Sequence, residues 1–427
     1  VEVHHIFFNE LSEMGHQVSK HVCCSARDKR ALPLPSSRTA QILPSKVDLL
    51  LSEPRFVATA PIWSSEVLTE RRLAVASTSE VHVYGLVGDS DLPELVLEHS
   101  LKLQGDTAIV TSILFADEMS ARYLAIALSF EHSKKHVIRV WSCVSSLMEE
   151  GEFAERNVAW DVDSGWIHSL DDHIESVTRL VTGSTHLLTV DTSGMCHVWQ
   201  ASRSFQHKAA VILHSGGVVD LTADRFFAYS LGMQDMSVCL WSLPDLSQLR
   251  TIRVEIPQGI DMLPDAPRPA RGTTYSLLRL TSLRRPLSRW VGCQGLNRHS
   301  SIPRGALYIT AELGVHSESG DTSQGVLMEW SLGEEPACRN AVVAHNSPII
   351  ALVYGPYDNG PLITADAHGL FRVWNCVPRL HCCQQCPVTG SVLEDCSLAV
   401  VVQPRYGLYT VVGDSRLFVW RRFYSGD

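Results

Sequence analysis

The amino-acid sequence predicts an all-β fold made of repeated sheets. Two observations support this prediction. Short segments of alternating character, each ending in an aromatic residue, recur along the chain, and six of its ten tryptophans occupy this one position. Alternation with a period of two is typical of strands with one buried face. Concentration of tryptophan at one position indicates a structural unit that is used many times.

The repeated segment is clearest at six places where the final residue is tryptophan. These are Ile138–Trp141, Cys196–Trp199, Val238–Trp241, Leu327–Trp330, Phe371–Trp374 and Leu417–Trp420. A seventh segment, Val81–Tyr84, has tyrosine in its place. Three of the intervals between successive aromatic residues are close to a period of about 40–45 residues, and the others fit one period plus insertions.

In these segments and in their spacing, the sequence resembles the WD40-repeat β-propeller family from about Val57 to Phe423. The resemblance implies a single seven-bladed propeller over residues 43–424. Residues 1–42 are expected to form a partly disordered N-terminal extension, and residues 425–427 a short tail. The dipeptide Trp-Asp, typical of the family, never occurs at an aromatic position of the repeat, so the propeller is a divergent one.

The family pattern also has a histidine that opens each repeat, a Ser or Thr on the second strand, and an Asp in the following turn. The best matches form three sets: His173, Thr189 and Trp199; His214, Ser230, Asp235 and Trp241; His345, Thr364 and Trp374. An imidazole, a hydroxyl and an indole N–H can satisfy one another where a buried unpaired group costs about 1–3 kcal/mol. We therefore expect stabilising rather than catalytic roles for them.

The C-terminus predicts how the ring closes. The resemblance implies that the strand containing Trp420 is followed by an outermost strand, but the seven residues after Trp420 are too few to form one. An N-terminal strand would then complete the last blade and remove an open sheet edge. We expect residues 43–52 to pair with residues 415–423.

An arginine-rich segment, interpreted as an insertion at about residues 261–305, stands out against the net charge of −10 of the whole chain. Residues 266–311 contain eight arginines and no Lys, Asp or Glu. Arginine forms paired hydrogen bonds with carboxylates and phosphates, and an aromatic side chain can anchor an interface. The predicted partner-binding residues are Arg279, Arg284, Arg285, Arg289 and Trp290. The alternative is that Thr274–Leu280 is an ordinary strand with a solvated arginine face.

A group of cysteines near the C-terminus includes a C-x-x-C motif, Cys383–Cys386. A structural zinc site usually needs a second such pair, and none is present nearby. Buried or edge thiols are therefore the favoured interpretation, and we expect no metal. The sequence also contains no nucleophile elbow, phosphate loop, zinc-protease helix or dinucleotide-binding motif. It predicts no catalytic residues, no cofactor and no small-molecule substrate.

These observations predict a non-catalytic WD40 scaffold that binds protein partners within a multi-subunit complex. The partner expected at the arginine-rich segment has an acidic surface. The alternative is an RNA-associated, non-catalytic subunit of an RNA-modifying or ribosome-assembly complex. No stretch approaches the roughly 18 apolar residues of a membrane span, and no secretory signal is visible. A cytoplasmic or nuclear location is expected.

Overall fold

The fold is described by a computed structural model. It covers residues 45–48, 51, 55–59, 72–87, 94–103, 108–116, 123–143, 158–160, 166–183, 186–201, 205–224, 226–243, 245–255, 260–262, 274–284, 305–317, 320–354, 362–376, 380–387, 397–401, 407–412 and 416–421. All of them belong to one unit, Ala40–Asp427. The predicted extension at residues 1–42 and the tail at 425–427 lie outside the described residues.

Every regular element among the described residues is a β-strand. The first fifteen are β1 Ser45–Asp48, β2 Phe56–Thr59, β3 Arg72–Ala76, β4 Glu80–Val87, β5 Glu94–Lys102, β6 Ala108–Phe115, β7 Tyr123–Phe130, β8 Lys135–Ser142, β9 Val158–Trp160, β10 Trp166–Leu170, β11 Val177–Gly183, β12 His186–Asp191, β13 Met195–Gln200, β14 Gln206–Ile212 and β15 Val218–Ala223.

The remaining strands are β16 Phe227–Gly232, β17 Ser237–Ser242, β18 Gln248–Arg253, β19 Asp261–Met262, β20 Thr274–Arg284, β21 Gly305–Ser317, β22 Gly320–Leu332, β23 Ala337–His345, β24 Ile349–Tyr354, β25 Leu362–Asp366, β26 Leu370–Asn375, β27 His381–Pro387, β28 Ser397–Val401, β29 Gly407–Val412 and β30 Arg416–Arg421. The described part of the chain contains no helix long and apolar enough to span a membrane.

The strands form a series of mostly antiparallel, four-stranded sheets, an arrangement consistent with a propeller-type fold. In hydrogen-bonded order they are sheet 1 (β2-β3-β4-β5-β9), sheet 2 (β6-β7-β8-β10), sheet 3 (β11-β12-β13-β14), sheet 4 (β15-β16-β17-β18), sheet 5 (β20-β21-β22-β23-β19), sheet 6 (β24-β25-β26-β27) and sheet 7 (β28-β29-β30-β1). Short parallel additions, β9 and β19, extend sheets 1 and 5.

The first strand of each sheet contacts the first strand of the next. These contacts run from β2 through β6, β11, β15, β20, β24 and β28, and β28 in turn contacts β2. In sheet 7 the outermost strand is β1, which pairs antiparallel with β30 so that Ser45 lies opposite Val419. These are the two segments for which the sequence predicts pairing.

The hydrophobic core lies between neighbouring sheets rather than at one centre. All seven predicted aromatic segments are strands, each the third of its sheet. Five of the tryptophans pack between their own sheet and the preceding one. They are Trp141, Trp199, Trp241, Trp330 and Trp374. The repeated tryptophan therefore fills the space between one sheet and the preceding one, which explains why it recurs.

The arginine-rich segment begins as an ordinary strand. Residues Thr274–Arg284 form β20, the first strand of sheet 5, which pairs with β21. Arg279 and Arg284 thus lie on a strand of the sheet and not in a protruding loop, as in the alternative left open by the sequence. Arg285, Arg289 and Trp290 lie outside the described residues.

Candidate functional site

Three buried polar clusters form where a histidine at the end of one sheet, or in the segment after it, contacts the next sheet. His345 lies at the end of β23 in sheet 5, and its Nε2 is 2.7 Å from the hydroxyl of Thr364 in sheet 6. The same hydroxyl accepts a 2.9 Å hydrogen bond from the indole of Trp374. On the other side of the ring, Nδ1 is 3.1 Å from a carboxylate oxygen of Asp366. The histidine, hydroxyl and tryptophan were predicted from the sequence as one set.

Two further clusters have the same geometry. Between sheets 2 and 3, Nε2 of His173 is 2.7 Å from Thr189 and Nδ1 is 3.0 Å from Asp191. Between sheets 3 and 4, His214 lies 2.8 Å from both Ser230 and Asp235. The indoles of Trp199 and Trp241 donate to the respective hydroxyls at 3.0 and 2.8 Å. In each of the three sets, the structure brings the histidine, the hydroxyl and the tryptophan together.

Each cluster places a histidine between a hydroxyl and a carboxylate, which is the order of groups in a catalytic triad. A nucleophile must, however, reach its substrate. The hydroxyl-bearing residues Thr189, Ser230 and Thr364 are completely buried, and each hydroxyl accepts a hydrogen bond from an indole. The clusters therefore tie neighbouring sheets together, and they do not expose a nucleophile.

Each histidine of the three clusters contacts a carboxylate, but the sequence identified this carboxylate in only one cluster. Asp235 was predicted, whereas Asp191 and Asp366 were not. Each of these two carboxylates also accepts backbone N–H groups of the turn that follows, from Ser193 and Met195 and from His368 and Leu370. The signal that identifies them is a glycine three residues later, Gly194 or Gly369, with φ of +84° or +81°.

The electrostatics of the clusters favour ionised carboxylates. Burial raises the pKa of Asp191 and Asp366, but the hydrogen bonds and charge of His173 and His345, together with hydrogen bonds from the following turn, outweigh it and lower the pKa of both. Burial lowers the pKa of His214, but the thiol of Cys239 and the carboxylate of Asp235 outweigh it and raise this pKa to about 8. His214 is therefore charged at neutral pH and forms an ion pair with Asp235.

Two other sheets use different residues at the same positions. In sheet 1, Tyr84 replaces the tryptophan, and its hydroxyl lies 3.0 Å from Nδ1 of His82. Burial first, and then the charge of Glu80, raise the pKa of Tyr84 to about 12. In sheet 5, the buried indole nitrogen of Trp330 has no hydrogen-bond partner among the described residues. The divergence of the repeats thus has a direct structural counterpart.

The described arginines of the predicted partner-binding set are engaged within the molecule. Nε of Arg279 is 2.5 Å from Glu312 on the adjacent strand β21. Nη1 of Arg284 is 2.7 Å from Asp220, which is buried in sheet 4. Asp220 also lies 3.5 Å from Nε of Arg179 in sheet 3. One buried carboxylate thus joins the first strands of sheets 3, 4 and 5.

A surface that the sequence did not predict lies beside two of the histidine clusters. Exposed residues of three successive turns and of the segment before β11 form it, and we call it the turn surface: Ile174, Thr192, Ser193, Ser215, Met233 and Gln234. Backbone hydrogen bonds link these segments, from Thr192 to Ser176, from Leu213 to Gly194 and from Met233 to Gly217. Ile174 is 86% exposed and Met233 53%. Large apolar side chains that protrude this far from a rigid base are typical of binding surfaces.

The predicted cysteine group is only partly described. Cys376 is buried, Cys382 is half-buried and Cys383 is exposed, and all three are free thiols. Burial raises the pKa of Cys376 to about 11, so its thiol is protonated at neutral pH. Among the described residues, these cysteines are not part of a cluster whose side-chain atoms converge as metal ligands would. The side chain of Cys386 lies outside the described part.

Comparison with known proteins supports the fold but not a family. No protein-family model matches the chain, and no curated protein matches its sequence. Solved structures do match, with 892 similar chains. One is a chain of the crystal structure of the mitotic checkpoint complex, with a TM-score of 0.58 and 14% sequence identity. The alignment covers 93% of this chain and 97% of that one. At this identity the similarity shows the fold alone.

Proposed function

We propose that the chain is a seven-bladed WD40-type propeller, closed by β1, that serves as a non-catalytic scaffold for protein partners within a multi-subunit complex. The cyclic contacts of the first strands and the β1–β30 pairing support the closed ring. The observation that carries the function is the turn surface, where Ile174 and Met233 stand exposed on turns held by buried histidine clusters. Because the base is rigid, little ordering is needed when a partner binds.

The charges around the turn surface indicate the chemistry of its partner. Asp172 and Glu175 beside Ile174 are exposed, and Asp235 near Met233 is half-exposed. The segments that form the surface, 171–176, 191–194, 213–217 and 233–236, contain no lysine or arginine. An apolar partner segment with neutral or basic flanks would complement this surface. The acidic partner inferred from the sequence would instead bind at Arg285, Arg289 and Trp290.

The RNA-associated alternative depends on free arginines. Arg279 and Arg284 are occupied by Glu312 and Asp220, and this weakens the case for a phosphate-binding strand. RNA binding would therefore rest on Arg285, Arg289 and the residues that follow. Its signature is a steep loss of affinity with salt, roughly 0.7 log unit per log unit of salt for each phosphate contacted.

The test compares partner capture by three purified, tagged variants with that of the wild type. We expect Ile174→Asp with Met233→Asp to lose partners that the wild type retains after nuclease treatment at physiological salt. Leu249→Asp, which changes an exposed residue of β18, is the matched control and should retain them. Arg285→Glu with Arg289→Glu examines the arginine-rich segment separately. An unchanged partner set in the first variant, with normal folding, would remove the turn surface from the proposal.

A further inference from the structure

Three side chains next to the cluster of His173 converge on one point. His197 lies on β13, His207 on β14, and Asp172 in the segment before β11. One potential ligand atom from each lies within 4.8 Å of the other two. No other group of three or more His, Cys, Asp or Glu in the described part of the chain converges in this way.

The distance between the two imidazoles fits metal ligation. Nδ1 of His197 and Nε2 of His207 are 3.2 Å apart. Two nitrogens that each lie about 2.0–2.1 Å from a tetrahedral zinc ion are about 3.3–3.4 Å apart. Without metal, one ring donates a hydrogen bond to the other. For both nitrogens to ligate, the donating ring must move its proton to its other nitrogen, so the step releases no net proton.

The two rings are held in place by their surroundings. His197 is buried, and its ring packs edge-on against His173 at a centroid distance of 4.4 Å. Trp199 stacks on His197 and also contacts His207, with centroids 6.0 and 4.9 Å away. The indole of Trp199 is itself fixed by its hydrogen bond to Thr189. Both nitrogens of His173 are engaged by Asp191 and Thr189, so His173 is a support and not a ligand.

The backbone explains why two histidines ten residues apart meet. The pairing of β13 and β14 shifts at a bulge between Val198 and Trp199, which places His207 opposite Trp199. The bulge turns the side chain of His207 toward that of His197, and such irregularities often direct a side chain at functional sites. His207 and Asp172 are exposed, so an ion can enter from solvent.

We propose that His197, His207 and Asp172 bind a divalent first-row metal ion, with Zn²⁺ as the best fit. Two imidazoles and one carboxylate supply three ligands, and a water completes the tetrahedron on the exposed side. Asp172 lies in the segment 171–176 of the turn surface, whereas His197 and His207 lie on β13 and β14. Zinc binding is measured on the purified chain alone, so its outcome does not depend on whether the turn surface binds a partner. The proposed site also revises the expectation, drawn from the sequence, that the protein binds no metal.

The experiment measures Zn²⁺ binding to the full chain, purified without a polyhistidine tag, in competition with a chromophoric chelator under reducing conditions. We expect His207→Ala to bind one equivalent of zinc fewer than the wild type. We expect Asp172→Asn to weaken the same site about 10-fold or more. His132→Ala, which removes an exposed histidine from the β7–β8 turn, is the matched control and should bind like the wild type. Zinc bound by other histidines and cysteines is the same in the wild type and in these variants, so it cancels when the numbers of bound equivalents are compared.

A thermal measurement provides the second readout. Zn²⁺ should raise the melting temperature of the wild type and of His132→Ala, because a ligand that binds the folded state stabilises it. In His207→Ala, zinc should raise the melting temperature only by the amount that binding at other sites causes. If the binding curve of His207→Ala overlays that of the wild type, or if His132→Ala loses the same equivalent, the proposed site is wrong.

Discussion

The hydroxyl of Thr364 lies 2.7 Å from the imidazole of His345 and joins two sheets through a single oxygen atom. His345 ends the fourth strand of sheet 5, whereas Thr364 lies in the second strand of sheet 6. The hydroxyl accepts from Trp374, and it can donate to Nε2 of His345, whose Nδ1–H then donates to Asp366. Four polar groups are thereby satisfied in a region that water does not reach.

Replacement of Thr364 by valine should destabilise the protein by about 2–4 kcal/mol. Valine has almost the same shape, but it leaves the imidazole of His345 and the indole of Trp374 without their shared partner, and each loss costs about 1–3 kcal/mol. Urea unfolding measures the change. Thr364→Ser, the control, keeps the hydroxyl and should cost about 1 kcal/mol. A valine variant as stable as the serine variant would contradict the role of the hydroxyl.

The two tryptophans Trp374 and Trp330 predict a contrast. Both are buried, but within the described part of the chain only the indole of Trp374 has a hydrogen-bond acceptor. Substitution by phenylalanine removes a satisfied N–H in one case and an unpaired one in the other. We expect Trp374→Phe to cost about 1 kcal/mol more than Trp330→Phe in unfolding free energy. Equal losses would mean that the indole hydrogen bond contributes no net stability.

The ion pair between His214 and Asp235 predicts a pH dependence. The pKa of His214 is about 8 in the folded state, above the value of about 6.5 in an unfolded chain. Its contribution is therefore complete below about pH 6.5 and is lost as the pH rises through about 8. Burial raises the pKa of Asp235, but the hydrogen bonds from His214 and Ser237 and the charge of His214 outweigh it and lower this pKa. The contribution of Asp235 is therefore present at neutral pH and is lost only in acid, as the pH falls through its lowered pKa.

Asp235→Asn should thus destabilise the protein more at pH 6 than at pH 9, by about 1 kcal/mol once solvent screening of the half-exposed carboxylate is included. Thermal unfolding at the two pH values measures the difference. Asp245→Asn is the control, since among the described residues Asp245 bonds to Ser247 of its own turn and to no histidine, and it should show no such difference. The same cost at both pH values would show that the charge of His214 does not change between pH 6 and pH 9, which contradicts a pKa of about 8.

Arg284 and Arg279 lie on the same strand but differ in their partners. Arg284 pairs with a buried carboxylate, whereas Arg279 is 63% exposed. We expect Arg284→Gln to cost about 1–3 kcal/mol, because the buried carboxylate of Asp220 would lose its shortest charged contact and keep the longer one with Arg179 and the hydrogen bond from the N–H of Leu221. Arg279→Gln should cost less than about 1 kcal/mol. Chemical denaturation of the two variants checks this, and a reversed order would contradict the network around Asp220.

This contrast also changes how partner binding is tested. Glutamate at position 284 would face Asp220 and add a like charge at a buried site, so it would perturb folding. A variant that combines it with changes at Arg285 and Arg289 would confuse lost binding with lost structure. Arg285 and Arg289 are therefore changed while Arg284 is kept.

Deletion of residues 1–55 should lower the melting temperature by about 5 °C or more. It removes β1, which leaves β30 with an unpaired edge, and it removes the completely buried Leu51. Deletion of residues 1–39 is the matched control, because it retains both features. If the two truncated proteins have the same melting temperature, β1 contributes nothing to the closure of the proposed ring.

The sequence predicted the features that depend on a local pattern. The aromatic strand ends, the all-β fold and three histidine sets were visible because each repeat places similar residues at similar spacing. Asp191 and Asp366 were missed, although a glycine three residues later marks both turns. Their role could have been found by comparing the turns with one another.

Long-range contacts could not be predicted in the same way. Arg284 meets Asp220 across 64 residues, and only the packing of sheets 4 and 5 brings them together. Likewise, His207 faces His197 because of one bulge, and the alternation of the strands alone does not indicate where that bulge lies. The first contact depends on how two sheets pack, and the second on the register of β14 against β13. Neither is specified by the residue pattern of a single strand.

The histidine clusters also determine how the molecule opens. His173 fixes the segment that connects sheets 2 and 3 to sheet 3, and His214 fixes the segment that connects sheets 3 and 4 to sheet 4. We therefore expect these three sheets to lose amide protection together as one cooperative unit. The junction of sheets 4 and 5 lacks such a cluster among the described residues and depends on apolar packing and the Arg284–Asp220 pair. We expect slow hydrogen exchange in the amides of sheet 3. The turn surface would then be presented by the last part of the protein to unfold.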